Sequence, residues 1–334
     1  MDLITLDAEP VRAAFADAGA VVPVGARTHW EVGGPPPQGR EVAAPAGVVA
    51  YDPADLTVTV GAGTPVDALD RALAEHGQHC PLDPRDPGAT VGGVLATGLS
   101  GRRRLRYGPV RDQVLEVRLV TPAGRLVKGG GPTVKNVTGY DLPRLVVGSF
   151  GTLGVLVQVT LRCWPRPRAA RWGTTTSDPS TVRAALFRPS AIVWDGHATS
   201  VLVEGEPADV DAELRAGALA PAEAPPFPHG AHRGRVSVPS AALVALASDL
   251  DAIHGCRWAA EVGVGTVHVA GDSADVLRDT RAAAHARGGW MLREAGGAPD
   301  DDGFGVPVPN PQLHARLRDA FDPDRRCNPG RVPW

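Results

Sequence analysis

Apolar and polar positions along the chain switch between helical and alternating periods, and each switch marks an element. Residues 9–18, EPVRAAFADA, have helical spacing that stops at Gly19, and VVPVG after it reads as a short buried strand entering a glycine-containing loop. Residues 55–61, DLTVTVG, alternate as a strand should; Thr64 then stands as N-cap and Pro65 as first residue of the helix PVDALDRALAEHG. Residues 80–101 carry too many glycines and prolines for a regular element and read as a loop. The strands VLEVRLVT and GRLVKGG follow, joined at Pro122, Ala123 and Gly124, and LVVGSFGTLGVLVQVTLRCW closes the half with apolar runs broken by glycines. This pattern predicts an α+β fold with a mixed sheet rather than strict βαβ alternation.

Residues 165–178, PRPRAARWGTTTSD, are polar and aperiodic and read as the linker. Beyond them, weaker strands (AIVWDG, TSVLVEG, RWAAEVGVGTVHVAG) alternate with helices (ADVDAELRAG, SADVLRDTRAAAHARG, NPQLHARLRDAF). The Ala-, Pro- and Gly-rich run 214–236 has no period and is expected to be a surface loop or partly disordered. No internal repeat is visible.

A length of 334 residues exceeds the roughly 250 at which single cores stop growing, so two domains are expected. The formal net charge of -3, without a basic stripe, argues against nucleic acid as a partner. No apolar run approaches the roughly 18 residues of a spanning helix, and the first residues carry acids where a signal peptide carries bases. A cytoplasmic protein is expected, touching membranes only through partners. Cys80, Cys163, Cys256 and Cys327 are scattered singly, without CxxC spacing, so they read as reduced thiols with no cluster of their own.

The candidate chemistry lies in glycine-dense turns: Gly25 in PVGARTHWEVGG, Gly92, Gly93 and Gly98 in ATVGGVLATGLSG, and Gly151 and Gly154 in GSFGTLGV. Glycine has no Cβ, so successive backbone N–H groups can converge on a diphosphate. Each loop alone is equally an ordinary tight turn. No GxGxxG follows a first strand and opens a helix, which disfavours a nicotinamide cofactor.

Taken in order, PVGARTHWEVGG, DPADLTVTVGAGTPVDAL, PGATVGGVLATGLSGRRRLRYGPVRDQVLEVRLVTPAGRLV and KNVTGYDLPRLVVGSFGTLGVLVQVTLRCWPRP resemble the FAD-binding domain shared by p-cresol methylhydroxylase and vanillyl-alcohol oxidase. KNVTGYDLPRL with GSFGTLGV, and the ending FDPDRRCNPGR, are similar in particular to the FAD-binding subunits of glycolate oxidases. The resemblance implies a two-part FAD-binding domain over residues 1–167 and a smaller α/β cap domain over 168–334, whose last segment returns to the flavin. It further implies that Gly25, Ala26, Arg27, Thr28 and His29 form the first diphosphate loop, and that Thr90, Gly92, Gly93, Gly98 and Ser100 form the second. Gly151, Thr152, Gly154 and Val155 would hold the adenosine side, and Asn328 would approach the isoalloxazine ring. Some relatives attach flavin through a first-loop histidine; Thr28 stands at that place and His29 one residue later, so non-covalent FAD is expected.

Three further groups have two readings each. Arg102, Arg103, Arg104 and Arg106 are either a solvated face or a site for phosphate, a substrate carboxylate or an acidic partner. Tyr140 and Asp141 read as a structural hydrogen-bonded brace rather than as reacting groups. His268, in VGVGTVHVAGD, is the one histidine where flavin-dependent 2-hydroxyacid dehydrogenases carry an HxGDGNxH-like cluster; it reads as a core or rim residue or as the catalytic base. No metal site is expected. The resemblance implies an oxidoreductase subunit that oxidises a 2-hydroxy acid or relays its electrons, with a second flavoprotein subunit and an iron–sulfur subunit as partners. A stand-alone FAD-dependent alcohol or sugar oxidase, and a flavin-free structural subunit, are the rival readings.

Overall fold

The computed structural model describes residues 6–35, 37–132, 140–298, 301–305 and 310–333. Lys135 to Gly139 of the KNVTGYDLPRL motif therefore lie outside the described residues. Secondary structure divides between two large sheets. The first has five antiparallel strands in the spatial order Val48–Asp52, Thr57–Gly61, Val155–Arg162, Val114–Val120, Leu126–Gly130. Beside it, Val21–Val24 pairs in parallel with Arg40–Ala43. Alternation along the strands puts Val58, Val60, Val117, Leu119 and Leu161 into one core with Leu69 and Leu73 of the helix Val66–Ala74 and Val91, Val94 and Leu95 of the helix Val91–Thr97. Each such side chain contributes about 1.5–3 kcal/mol when fully buried.

The second sheet has eight antiparallel strands, in the order Ala220–Ala222, Ala169–Thr175, Thr199–Gly205, Ala191–Trp194, Arg257–Glu261, Thr266–Gly271, His232–Ser237, Trp290–Ala295. The helices Leu243–Asp251 and Ala274–Ala286 bury Leu246, Leu250 and Leu277 against one face, where Val236, Val267, Val269 and Met291 point. The other face carries Leu292, Arg235, His268 and Ala259 in direct cross-strand register. Leu292 joins Val32, Phe150, Phe304 and Val332 in an apolar cluster that ties this face to the glycine loops of the first half.

Several local expectations are corrected. Residues 91–97 form a helix, not a loop: the Thr90 side chain caps it by accepting from the Gly93 N–H at 3.2 Å, and burial of Val91, Val94 and Leu95 outweighs the cost of two glycines. Thr64 does not cap its helix, which starts at Val66. Its backbone is engaged instead in pairing with the next loop (Val91 N–H to Thr64 O, 2.9 Å), while its hydroxyl donates to Gly61 O at 2.6 Å. The first helix spans Glu9–Ala14 only. Half of the expected linker is a strand, Ala169–Thr175, because Thr199–Gly205 and Ala220–Ala222 supply its backbone partners. The run 214–236 contains two strands for the same reason. Tyr140 is 99% exposed and braces nothing; Asp141 instead accepts from the Arg144 N–H at 3.0 Å as a helix cap.

Candidate active site

Three adjoining pockets form the candidate cleft, sharing Pro23, Gly25, Thr90, Gly93, Ala96 and Gly151 at one junction and Thr28 and His29 at the other. At one end Gly154, Val155, Leu119, Val42 and Ala44 line it. Its middle is walled by Pro23, Gly25, Thr90, Gly93, Ala96 and Gly151, and it continues past Ala26, Arg27, Thr28, His29 and Asn328. His29 and Thr28 also line the far end, together with Arg85, Ser100, Phe227, Arg233, Arg235, His268 and Glu294.

The middle has the construction of a diphosphate cradle. A Cβ on Gly25 would lie 2.4 Å from Thr90 Oγ1, so the two loops meet only because residue 25 has no side chain. Among the described residues, no backbone hydrogen bond is donated by the N–H of Ala26, Arg27, Thr28 or His29. Four successive residues that line the cleft thus carry backbone donors without a backbone partner, as an anion site requires. A Cβ on Gly93 would meet only Thr90 Oγ1, at 3.1 Å, so this glycine borders open space.

Asn328 is brought there by the chain end. Cys327 bridges to Val21, the Asn328 N–H donates to Val21 O at 2.8 Å, and Asn328 Nδ2 donates to Phe150 O at 2.5 Å. Its backbone is left-handed (φ 49°), and its buried Oδ1 has no partner among the described residues. An orphaned acceptor in a cleft lined by free N–H groups fits a bound molecule with both phosphates and ring or ribityl donors, as FAD has. Arg331 fixes the first loop from behind, donating to the carbonyls of His29, Trp30 and Gly34.

Two residues expected in the cleft stand behind it. Gly98 ends its helix in the left-handed region (φ 67°), against Gly148, and the Thr152 hydroxyl donates to Ser149 O at 2.7 Å. Gly92 lines the cleft but is held by backbone, since a Cβ there would lie 2.9 Å from Ala62 O. Ser100 reaches the far end, although its hydroxyl already accepts from the Val110 N–H at 3.0 Å. His29 packs beside Thr97 (Nδ1 to Oγ1, 3.4 Å), and burial pushes its imidazole below the ordinary value, opposed by Asp86 and Glu294.

Three of the four arginines in the run are engaged across the two halves rather than forming a solvated face. Arg102 donates to Pro225 O at 2.5 Å, Arg103 pairs with the buried Glu204 at 3.2 Å, and Arg106 donates to Glu204 O at 2.5 Å and Ser190 Oγ at 3.3 Å. These guanidiniums bolt the two halves together.

The far end holds residues that sequence reasoning missed. Arg233 and Arg235 sit two apart on one strand, hence on one face, half-buried in the chamber. Neither guanidinium has an ion pair or hydrogen bond among the described residues. Arg85, by contrast, pairs with Glu294 at 2.9 Å. The alternation Arg-Gly-Arg in HRGRVS was the available signal. His268, directly opposite Arg235, is buried, with Nε2 2.9 Å from Glu261 Oε1. Its Nδ1 has no partner among the described residues, and with Nε2–H donating to Glu261 that nitrogen carries the lone pair.

Among the described residues no cluster of His, Cys, Asp and Glu could hold a metal, and no helix is long and apolar enough to cross a membrane.

Comparison with known proteins agrees with this geometry. The FAD binding domain family matches residues 8–130. The glycolate oxidase subunit GlcE of Escherichia coli K12 is 33% identical over 347 residues, covering 97% of this chain and 95% of the relative. The mitochondrial D-lactate dehydrogenase [cytochrome] 1 of Saccharomyces cerevisiae is 39% identical over 149 residues, 45% of this chain but only 25% of that enzyme. A solved alkyldihydroxyacetonephosphate synthase superposes with a TM-score of 0.68 over 96% of this chain and 73% of its own, at 16% identity, which shows a shared fold. The chain therefore belongs to the FAD-binding oxidoreductase family of the glycolate oxidase subunit GlcE.

Proposed function

We propose that the chain is the FAD-binding subunit of a glycolate-oxidase-type complex and contains a substrate site of its own. The observation that supports this reading is the row of adjoining pockets with shared walls, from Gly154 and Val155 past the backbone N–H groups of residues 26–29 to the chamber of Arg233, Arg235 and His268. Its order of walls and its donor pattern fit FAD, with the adenosine at Gly154 and Val155 and the diphosphate between Gly25 and Gly93. Asn328 and His29 would flank the ring. We assign residues 1–167 to the FAD-binding domain and 168–334 to the cap.

In the chamber, three arginines stand against two acids, Asp86 and Glu294, which leaves a positive surplus for a carboxylate. Arg233 and Arg235 would hold the substrate carboxylate, and His268 Nδ1 would accept the proton of the neighbouring hydroxyl, with Glu261 steadying the charged ring. FAD, when bound, supplies the acceptor for the hydride that leaves the hydroxyl-bearing carbon. The partners in this reading are a second flavoprotein subunit and an iron–sulfur subunit, and the compartment is the cytoplasm.

The purified chain tests the cofactor half of the reading. Acid precipitation is expected to release one FAD per chain into the supernatant. A colourless chain that stays empty when FAD is added would make it a flavin-free structural subunit, and flavin retained in the pellet would make the attachment covalent.

A further inference from the structure

The substrate chamber ends at a wall with a second cavity behind it. Phe227 lines both: on one side lie Arg235 and His268, on the other Val193, Ala198, Trp258 and Ala259. The ring meets His268 edge-on, with centroids 4.9 Å apart. Arg85 and Arg102 place guanidinium carbons 4.8 Å and 3.8 Å from its centre. The strap that carries it is held at three carbonyls: Arg102 donates to Pro225 O at 2.5 Å, Arg85 to Pro228 O at 2.8 Å, and Arg257 to His229 O at 2.8 Å. Two of these arginines come from the first half of the chain and one from the second, so Phe227 is a fixed partition rather than a moving flap.

We propose that Phe227 determines specificity by limiting the length of the acid that the chamber accepts. The inference rests on the reading that the substrate carboxylate lies at Arg233 and Arg235 with its hydroxyl at His268. From that anchor, a substituent on the hydroxyl-bearing carbon that extends along the strand row from Arg235 through His268 to Ala259 runs into the ring. A short 2-hydroxy acid fits in front of the partition. A longer one needs the space behind it, where Val193, Ala198 and Trp258 offer an apolar wall and Ser200 and Asp195 a polar rim. Truncating the ring joins the two cavities, and each methylene that reaches the apolar wall adds about four-fold in affinity.

The test uses the flavin-loaded full chain and a straight series of product-like 2-oxo acids from pyruvate to 2-oxooctanoate, with binding followed by calorimetry. The parent is expected to bind pyruvate and reject 2-oxooctanoate. Phe227→Ala is expected to reverse that order by ten-fold or more, and Phe227→Leu, which keeps an apolar anchor for the strap, to fall between. A uniform change across the series in both variants would overturn the proposal, because the ring would then only position His268. So would a parent that binds 2-oxooctanoate as well as pyruvate. A flavin-loaded parent that binds no member of the series would instead remove the substrate site on which the proposal stands.

Discussion

Glu261 Oε1 lies 2.9 Å from His268 Nε2, on adjacent strands, and the second polar atom of each residue has no partner among the described residues. Most buried polar atoms are hydrogen-bonded, so the unpartnered Nδ1 calls for an explanation. Here one nitrogen is oriented by a carboxylate and the other is left over, the layout of a positioned proton acceptor. Glu261→Gln removes the negative partner while keeping the shape. Reduction of the bound flavin by a 2-hydroxy acid is expected to slow by about 10- to 150-fold, the value of one charge-assisted hydrogen bond of 1.5–3 kcal/mol. Flavin content should not change. An unaltered reduction rate would show that Glu261 has no part in the reaction.

Arg233 and Arg235 should matter to binding more than to turnover. Replacing either with Gln is expected to weaken carboxylate affinity by about ten-fold or more, with little change in the reduction rate at saturation. Lysine at 235 should restore part of the loss, since it keeps the charge without the planar fork. Saturation curves for each variant separate KM from the limiting rate. A fall in the limiting rate alone would place these arginines outside the substrate site.

Two glycines of the cleft should respond differently to a branched side chain. Gly93 borders open space, so Gly93→Val is expected to empty the flavin site while the fold survives. Gly154 has φ +148°, and a Cβ there would lie 2.6 Å from Val120 O, so Gly154→Val strains the backbone by about 1–3 kcal/mol and lowers stability as well. Equal loss of FAD from both would be a simpler expectation from the sequence, but the structure separates them. Flavin content and thermal melting, measured together, check this.

Acid should destabilise the chain through a residue far from the chemistry. Burial, reinforced by Arg103, pushes His79 down to about 4 from 6.5. Between those values the unfolded chain binds a proton that the folded chain refuses. The stability is therefore fully present above about pH 6.5 and is lost as pH falls toward 4, by roughly 3 kcal/mol at most. His29 shifts in the same direction. Melting temperatures of the parent and His79→Gln are expected to diverge above pH 6.5 and approach each other near pH 4. A constant gap across that range would mean that His79 stays chargeable in the fold.

The parts of the site that were legible in the sequence are the local ones. Gly25 stands out because a Cβ there would meet Thr90, and Gly151 because its φ is +69°, constraints that are written at single positions. The helix at 91–97 was hidden because its stability comes from the Thr90 cap and from the partners of Val91, Val94 and Leu95, not from its own propensities. Arg106 looked like a surface charge until Glu204, on a strand of the other half, supplied the carbonyl that it serves. The chamber itself had no contiguous signature: Arg235, His268 and Ala259 become neighbours only through strand register.

The proposed role of His268 is to accept the proton of a 2-hydroxy acid beside the flavin. The most direct measurement is anaerobic mixing of the FAD-loaded chain, alone and with its partner subunits, with short 2-hydroxy acids while the visible flavin band is followed. Bleaching is expected to slow by about a hundred-fold to ten-thousand-fold in His268→Ala at unchanged flavin content. Bleaching by the His268→Ala chain at the parent's rate would contradict it and place the proton acceptor elsewhere.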